Sequence, residues 1–360
     1  MLFDDFMAQR TGFVYPNTKV SYDREMDLIR RRFAGAEVFV LDPTALAMAL
    51  NVVFGKPSSV LAALPFVRLP FPKTFIEWST QDARAATADL GSPNRQREGA
   101  TTQLERVGFL FSEDPERPGV LLAEYVCRQV DPRSRRTITD LSGQRASILI
   151  PQEDPRTLTE RWRALGEKEE EDEPRRSREK VRIDDDIRGK ARDHYRLVLE
   201  NQAEAEALME LHGRARLHRH PEMERLRRSM ELLMGAAQME QYEQGQRREV
   251  RQMLDYALAA LILLNTRNAV ETEKVPAPEK LNRIRMKKKQ LPLVGHQIVK
   301  LKLTRTQLER IRAGGSGMDR SIRGTLVLGH FKVRQTGIFW WNAHARRGYG
   351  AVSNRYQVGA

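Results

Sequence analysis

Cysteine is almost absent from this 360-residue sequence. The only one, Cys127, cannot support an internal disulfide framework, and a single thiol fits a reducing compartment. Because Cys127 ends the strand-like run 121–127, we expect a buried, unreactive thiol and not a nucleophile. The composition therefore argues against a small secreted protein that is stabilised by disulfides.

Long apolar runs are also missing. The longest stretch, 256–264, is about half of the roughly 20 residues that a membrane-spanning helix needs, so it predicts a buried helix instead. Residues 1–6 are acidic, and no apolar segment typical of a secretory signal follows them. We therefore expect a cytoplasmic protein without a membrane partner.

The sequence lacks the glycine-rich phosphate loop, the Rossmann glycine fingerprint and the Gly-x-Ser-x-Gly elbow that mark common nucleotide-binding and hydrolytic enzymes. His212, His218 and His220 lie close together, but a structural zinc site needs four ligands that usually include thiolates. We expect these histidines to be solvated at a helix end, and we predict no metal and no cofactor.

Glu77, the only charge in the strand-like segment 74–78, is expected to face outward; the alternative is an interior acid in a site.

Positive charge is abundant but unevenly distributed. The net charge is +13, and residues 274–360 alone hold 19 Lys and Arg against 3 Asp and Glu, a balance of +16. The other residues hold 42 basic and 45 acidic side chains, a balance of −3. A strongly basic segment usually contacts a polyanion, most often nucleic acid and less often anionic lipid or an acidic protein.

The order of the local patterns predicts an α+β fold with four parts. Strand candidates separated by turns, together with helices, predict a mixed N-terminal domain over 1–165. The segment 166–182 is highly charged and has almost no apolar side chain, which is typical of a solvated linker. Helix formers and helical periodicity predict a helical region over 183–273. Alternating residues then predict a small basic β-rich module over 274–360.

Alternation within this module predicts individual strands. Residues 295–303 alternate between apolar and polar side chains, as in a strand with one buried face. The segments 324–334 and 337–344 are expected to form a hairpin or adjacent strands. Strand alternation then puts Trp340 and Trp341 on opposite faces, so at most one of them reaches a ligand.

Parts of the sequence resemble known proteins, and these parts are 263–268, 280–289, 323–332, 341–348 and pieces of 69–78. The third and fourth are similar to the patterns Arg-Gly-His-Phe/Trp-Arg and Trp-x-x-x-His-x-Arg-Gly of a family of uncharacterised proteins. Bacteriophages, prophages and related mobile elements encode this family. Leu328 stands where the pattern has its leading arginine. The resemblance implies a phage- or prophage-encoded protein in a bacterial host cell, and it implies no activity.

Charge and aromatic content together predict that the basic module binds DNA or RNA with little sequence preference. Basic side chains would contact phosphates, and an aromatic side chain would stack on a base. The predicted contact residues are Arg283, Arg285, Lys287, Lys288, Lys289, Lys300, Lys302, Lys332, Arg334, Trp341, Arg346, Arg347 and Tyr349.

Two other functions stay open at this stage. His330 and His344 could face each other across adjacent strands, which would suit a metal-independent nuclease with one histidine as base and the other as acid. Alternatively, the helices over 190–266 could assemble with copies of the chain or with a host factor, while the basic module meets an acidic protein. The sequence therefore assigns no enzymatic activity.

Overall fold

The computed structural model describes residues 1–8, 23–87, 103–130, 137–150, 202–302, 324–327, 330–334, 337–341 and 344–347. Its helices are α1 (Leu2–Ala8), α2 (Asp23–Phe33), α3 (Pro43–Gly55), α4 (Pro57–Ala63), α5 (Thr80–Thr87), α6 (Gln202–Arg214), α7 (Glu224–Met234), α8 (Ala236–Leu264) and α9 (Glu279–Lys287), with 3-10 turns at Leu64–Phe66 and Pro221–Met223. Its strands are β1 (Glu37–Leu41), β2 (Lys73–Ser79), β3 (Gln103–Glu113), β4 (Val120–Val130), β5 (Thr137–Leu149), β6 (Ala215–Arg219), β7 (Val270–Val275), β8 (His296–Leu301), β9 (Gly324–Val327), β10 (His330–Arg334), β11 (Gly337–Trp341) and β12 (His344–Arg347). The predicted linker over 166–182 lies outside the described residues.

Eight strands form one mixed sheet in the order β6-β5-β4-β3-β2-β1-β8-β7. Strand β1 runs parallel to β2 and β8, and the other neighbouring pairs are antiparallel. The α+β class that the sequence predicted is confirmed. Strand β8 lies between β1 and β7, so three of the predicted parts contribute strands to one sheet. The four domain limits themselves stay a prediction.

The longest helix, α8, supplies the centre of the core on one face of the sheet. Residues 253–263 of this helix are all buried, and they pack with α3 and with the apolar side chains of the central strands. The predicted burial of the apolar run 256–263 is confirmed, and Leu264 at its end is partly buried. Helix α3 has a start that is typical of its sequence: Asp42 caps it by accepting the Ala45 N–H at 2.7 Å, and Pro43 occupies its first turn.

Helices α1, α2 and α7 cover the other face of the sheet. Ring contacts with centroids 4.7 to 6.0 Å apart join α1 and α2 to β2, through Phe3, Phe6, Phe33 and Phe75. Because both faces are covered, the middle of β2 and of β4 is buried without interruption. Cys127 lies in the buried part of β4, as expected for an unreactive thiol.

Two short antiparallel pairs follow the large sheet: β10 with β11, and β9 with β12. We call β10 and β11 together the basic ribbon. Phe331 and Ile338 on one of its faces are buried and join the main core, and Val333 and Trp340 pack against the same core. The Phe331 N–H donates to Ser59 Oγ in α4 at 3.4 Å. One face of the ribbon is thus attached to the core of the sheet domain.

Candidate nucleic-acid interface

The face of the basic ribbon that points away from the core combines cations with aromatic rings. In the register, His330 pairs with Trp341, Lys332 with Phe339, and Arg334 with Gly337. Because side chains alternate between the faces of a strand, these residues lie opposite the face that carries Phe331 and Ile338. We call the set His330, Lys332, Arg334, Phe339 and Trp341 the outer face of the ribbon.

Cation–π contacts hold the outer face together. The ammonium nitrogen of Lys332 lies 3.9 Å from the centre of the Trp341 ring. The Arg334 guanidinium carbon lies 5.6 Å from the same ring and 5.9 Å from the Phe339 ring. Such contacts position a cation without neutralising it, because the ring carries no net charge. The His330 and Trp341 rings have centroids 6.3 Å apart.

The two tryptophans are divided between the faces, as alternation predicted. Trp340 packs edge-on against Phe331, with ring centroids 5.5 Å apart at an interplanar angle of 74°, and it belongs to the core side. Trp341 lies on the outer face with Lys332. Trp341 is therefore the tryptophan on the face that points away from the core.

Helix α9 carries a second group of predicted contact residues. Arg283 and Lys287 on the helix are exposed, and so are Lys288 and Lys289 directly after it. Arg285 is partly buried, and its Nε donates to the carbonyl of Leu291 at 2.8 Å, so it holds the segment that returns to β8. This role in the local fold separates Arg285 from the other cations of the helix.

The ribbon and α9 lie at opposite ends of the β7–β8 pair. Val270 pairs with Leu301 at the end near the ribbon, and Val275 pairs with His296 at the end from which α9 starts. Strands of this length span about 17–20 Å. The contact residues predicted on the ribbon and those at α9 therefore lie on two separate basic surfaces.

The two predicted lysines of β8 differ in their surroundings. Lys300 forms an ion pair with Glu273 of β7, so part of its charge is offset. Lys302 is exposed, and its N–H donates to the Ala269 carbonyl at 2.9 Å, which places it at the ribbon end of the strand pair. Lys302 thus belongs with the ribbon surface and not with α9.

The register does not pair the two histidines of the nuclease hypothesis. His330 pairs with Trp341, whereas His344 pairs with Val327. These two pairs belong to two separate two-stranded sheets. The register therefore gives no support to the nuclease hypothesis, which stays a prediction. Arg346 and Arg347 pair with Thr325 and Gly324 in β9, and Tyr349 lies outside the described residues.

His220 is buried, and the expectation that it would be solvated at a helix end is wrong. Its Nε2 lies 2.7 Å from Arg32 Nη2, and its Nδ1 lies 2.9 Å from Glu222 Oε2. Its Nε2 also lies 3.4 Å from Oε2 of buried Glu124, so the ring lies between a guanidinium and two carboxylates. Arg32 also forms ion pairs with Glu222 and with buried Glu124, so the group joins α2 to β4 and to the turn before α7. The contact with His220 lowers the pKa of Glu222 to about 2.

The other two histidines of the cluster also have protein partners. His212 Nε2 lies 2.8 Å from the buried carboxylate of Asp255 in α8, and the Arg145 guanidinium donates to His218 Nε2 at 3.2 Å. Burial, followed by the positive charge of Arg145, lowers the pKa of His218. Each histidine thus fastens a different pair of elements. In the described part of the chain, no group of three or more His, Cys, Asp or Glu side chains is arranged to hold a metal ion.

Glu77 is fully buried, and the expectation of an outward-facing acid is wrong. Its Oε1 accepts from Arg106 Nη2 at 2.7 Å, and its Oε2 accepts the Phe3 N–H at 2.9 Å. The acid lies inside because helix α1 covers this face of β2 and supplies donors from its first turn. Arg106 matches the charge of Glu77, and the hydrogen bond from the Phe3 N–H holds α1 on the sheet.

Comparison with protein-family models, with curated proteins and with solved structures gives no match. No helix in the part of the chain that the structure describes has the length and apolar character that crossing a membrane requires.

Proposed function

We propose that the chain binds nucleic acid through the outer face of the basic ribbon. The observation that carries this proposal is the placement of Lys332 and Arg334 beside Trp341 and Phe339 on the face opposite the core. Cations beside aromatic rings suit a polyanion with flat bases, since phosphates meet the charge and a base stacks on a ring.

The chemistry of this face favours binding with little sequence preference. Lysine and arginine contact phosphates of any sequence, and every base has a flat surface that stacks on tryptophan. The two cations lie close to the Trp341 ring, so one bound nucleotide can meet both kinds of contact. The ligand class is therefore a single strand of DNA or RNA, whose bases are accessible for stacking.

The resemblance to phage and prophage proteins extends the proposal to the setting of this activity. Two of the resembling segments, 323–332 and 341–348, overlap the basic ribbon and its neighbours. We therefore propose a phage- or prophage-encoded protein that acts on nucleic acid in the cytoplasm of a bacterial host.

The test compares two charge-matched double variants of the full chain. Lys332→Gln with Arg334→Gln removes two cations from the outer face, and Arg225→Gln with Arg228→Gln removes two exposed cations from α7. Binding of a fluorescent single-stranded 20-mer is measured by anisotropy over a range of salt concentrations. For a single strand, log K falls with log salt by about 0.7 for each phosphate contact, so the ribbon variant should lose about 1.4 from its slope.

The α7 variant should keep the slope of the unmodified chain. Trp341→Leu should weaken binding roughly 5- to 150-fold, because stacking contributes about 1–3 kcal/mol per base. The proposal is overturned if the unmodified chain does not bind at 50 mM salt, or if both double variants have the same slope.

A second candidate function is a non-enzymatic contact with an acidic protein through α9. Leu281, Ile284 and Met286 are about half exposed on this helix, beside the cations already described. Like charge disfavours contact between two α9 helices, and it favours an acidic amphipathic partner. A designed acidic amphipathic peptide should bind the full chain, and Leu281→Ser with Ile284→Ser should weaken it. An unchanged affinity would contradict this role, and the mass in solution measures self-association separately.

A further inference from the structure

The segment 265–268 joins α8 to β7 and lies beside strand β11 like a short third strand of the ribbon. Thr266 forms a parallel bridge with Ile338, and the Arg267 N–H donates to the Ile338 carbonyl at 3.2 Å. The side chain of Asn268 then pairs with the backbone of Trp340: its Oδ1 accepts the N–H at 2.9 Å and its Nδ2 donates to the carbonyl at 3.2 Å. The backbone of Arg267 is therefore fixed against the ribbon.

The side chain of Arg267 lies over Gly337, at the end of the ribbon. A Cβ atom at position 337 would lie 3.3 Å from Arg267 Nε and 3.8 Å from both Cδ and Cζ. Gly337 also has φ +131°, a backbone conformation that favours glycine. Position 337 is thus suited to glycine on two independent grounds, and the absence of a side chain leaves room for the guanidinium.

Gly337 is the register partner of Arg334, which brings two arginines to one place. Directly paired residues of an antiparallel ladder have Cα atoms about 4.5–5.5 Å apart. Arg267 is exposed, and it comes from a different part of the chain from Arg334. The end of the ribbon therefore carries a cation from the ribbon and a cation from the end of the core helix.

We propose that Arg267 is a further phosphate-binding residue of the interface, which takes a backbone phosphate of single-stranded nucleic acid together with Arg334. This inference rests on the proposed function of the outer face. A guanidinium presents several N–H donors in a fixed planar fork, and this geometry suits phosphate oxygens. Gly337 is partly exposed and has no side chain that would stand between a phosphate and the two guanidinium groups.

The experiment measures the salt dependence of oligonucleotide binding for single arginine variants of the full chain. Arg267→Gln removes the proposed contact, and Arg267→Lys keeps the charge but removes the fork. Arg248→Gln is the matched control, because it removes an exposed arginine from α8 that lies about 24 Å along the helix axis from the helix end, at 1.5 Å per residue. Thermal midpoints of all variants confirm that the fold is retained.

The expected result is a slope of log K against log salt that is smaller by about 0.7 for Arg267→Gln and unchanged for Arg248→Gln. Arg267→Lys should keep the slope and bind less tightly than the unmodified chain. If the unmodified chain binds and Arg267→Gln keeps its slope, the role of Arg267 is overturned while the proposed function stands. If the unmodified chain does not bind the oligonucleotide at 50 mM salt, both are overturned.

Discussion

Glu77→Gln removes a negative charge from the interior while it keeps the size of the side chain. The carboxylate accepts from three donors: Arg106 Nη2 at 2.7 Å and the Leu2 N–H at 3.3 Å on Oε1, and the Phe3 N–H at 2.9 Å on Oε2. The amide of glutamine has one oxygen that can accept, and its nitrogen can only donate. At least one of the three donors must therefore face another donor.

The glutamine amide can take two orientations, and the loss of unfolding free energy is worked out for the more favourable one. The oxygen then stays with Arg106 and Leu2, and the amide nitrogen faces the Phe3 N–H. An unsatisfied buried N–H costs about 1–3 kcal/mol, and the change from a charged to a neutral acceptor of Arg106 costs about 1 kcal/mol more. We expect the free energy of unfolding to fall by about 2–4 kcal/mol, which is close to the cost of breaking a buried ion pair.

Urea denaturation followed by circular dichroism measures this loss. Glu105→Gln is the matched control, because Glu105 lies on neighbouring β3, is about half exposed and accepts from Arg128 Nε at 3.0 Å. An exposed pair contributes at most about 1 kcal/mol, so the control should lose less than that. Equal losses for the two glutamates would refute the reasoning that Glu77 is a buried acid which holds α1.

Three further predictions concern pH, the attachment of the ribbon and the thiol. The contact with His220 holds the pKa of Glu222 at about 2, below its ordinary 4.5. The stability that ionised Glu222 contributes is therefore present above pH 4.5 and is lost as the pH falls towards 2. Glu222→Gln should flatten the decline of the thermal midpoint across that range, and an equally steep decline would contradict this prediction. Asn268→Ala removes both hydrogen bonds to the Trp340 backbone, and hydrogen exchange should become faster over 330–341 while protection in β3 and β4 is kept. Cys127 should react with a thiol reagent only after denaturation, and rapid labelling of the native chain would show that the thiol is not buried.

Features set by local periodicity could be predicted from the sequence. The run 256–264 is too apolar to be exposed, and its burial followed from composition alone. Trp340 and Trp341 are adjacent in a strand, and the two-residue period of a strand is enough to separate them between faces. The start of α3 at Asp42 and Pro43 also depends only on neighbours in the sequence.

Features set by distant partners could not be predicted in the same way. Glu77 lies inside because Arg106 and the backbone of α1 supply donors, and no residue within 74–78 indicates that these donors are present. His220 is buried for the same reason, since its partners Arg32 and Glu124 come from distant segments. The basic charge of 274–360 was visible, but its division into two surfaces follows from the direction of β7 and β8.

The position of β8 between β1 and β7 sets an order for the assembly of the chain during synthesis. Phe39 pairs with Gln297, so the partner of β1 on this side is synthesised 258 residues later. At about 5–20 residues per second, a ribosome needs roughly 13 to 52 s to make that interval. During this time one edge of β1 lacks its final neighbour, and an unpaired strand edge promotes aggregation. A nascent chain that is halted before β8 should therefore depend on chaperones more than one that is halted after it.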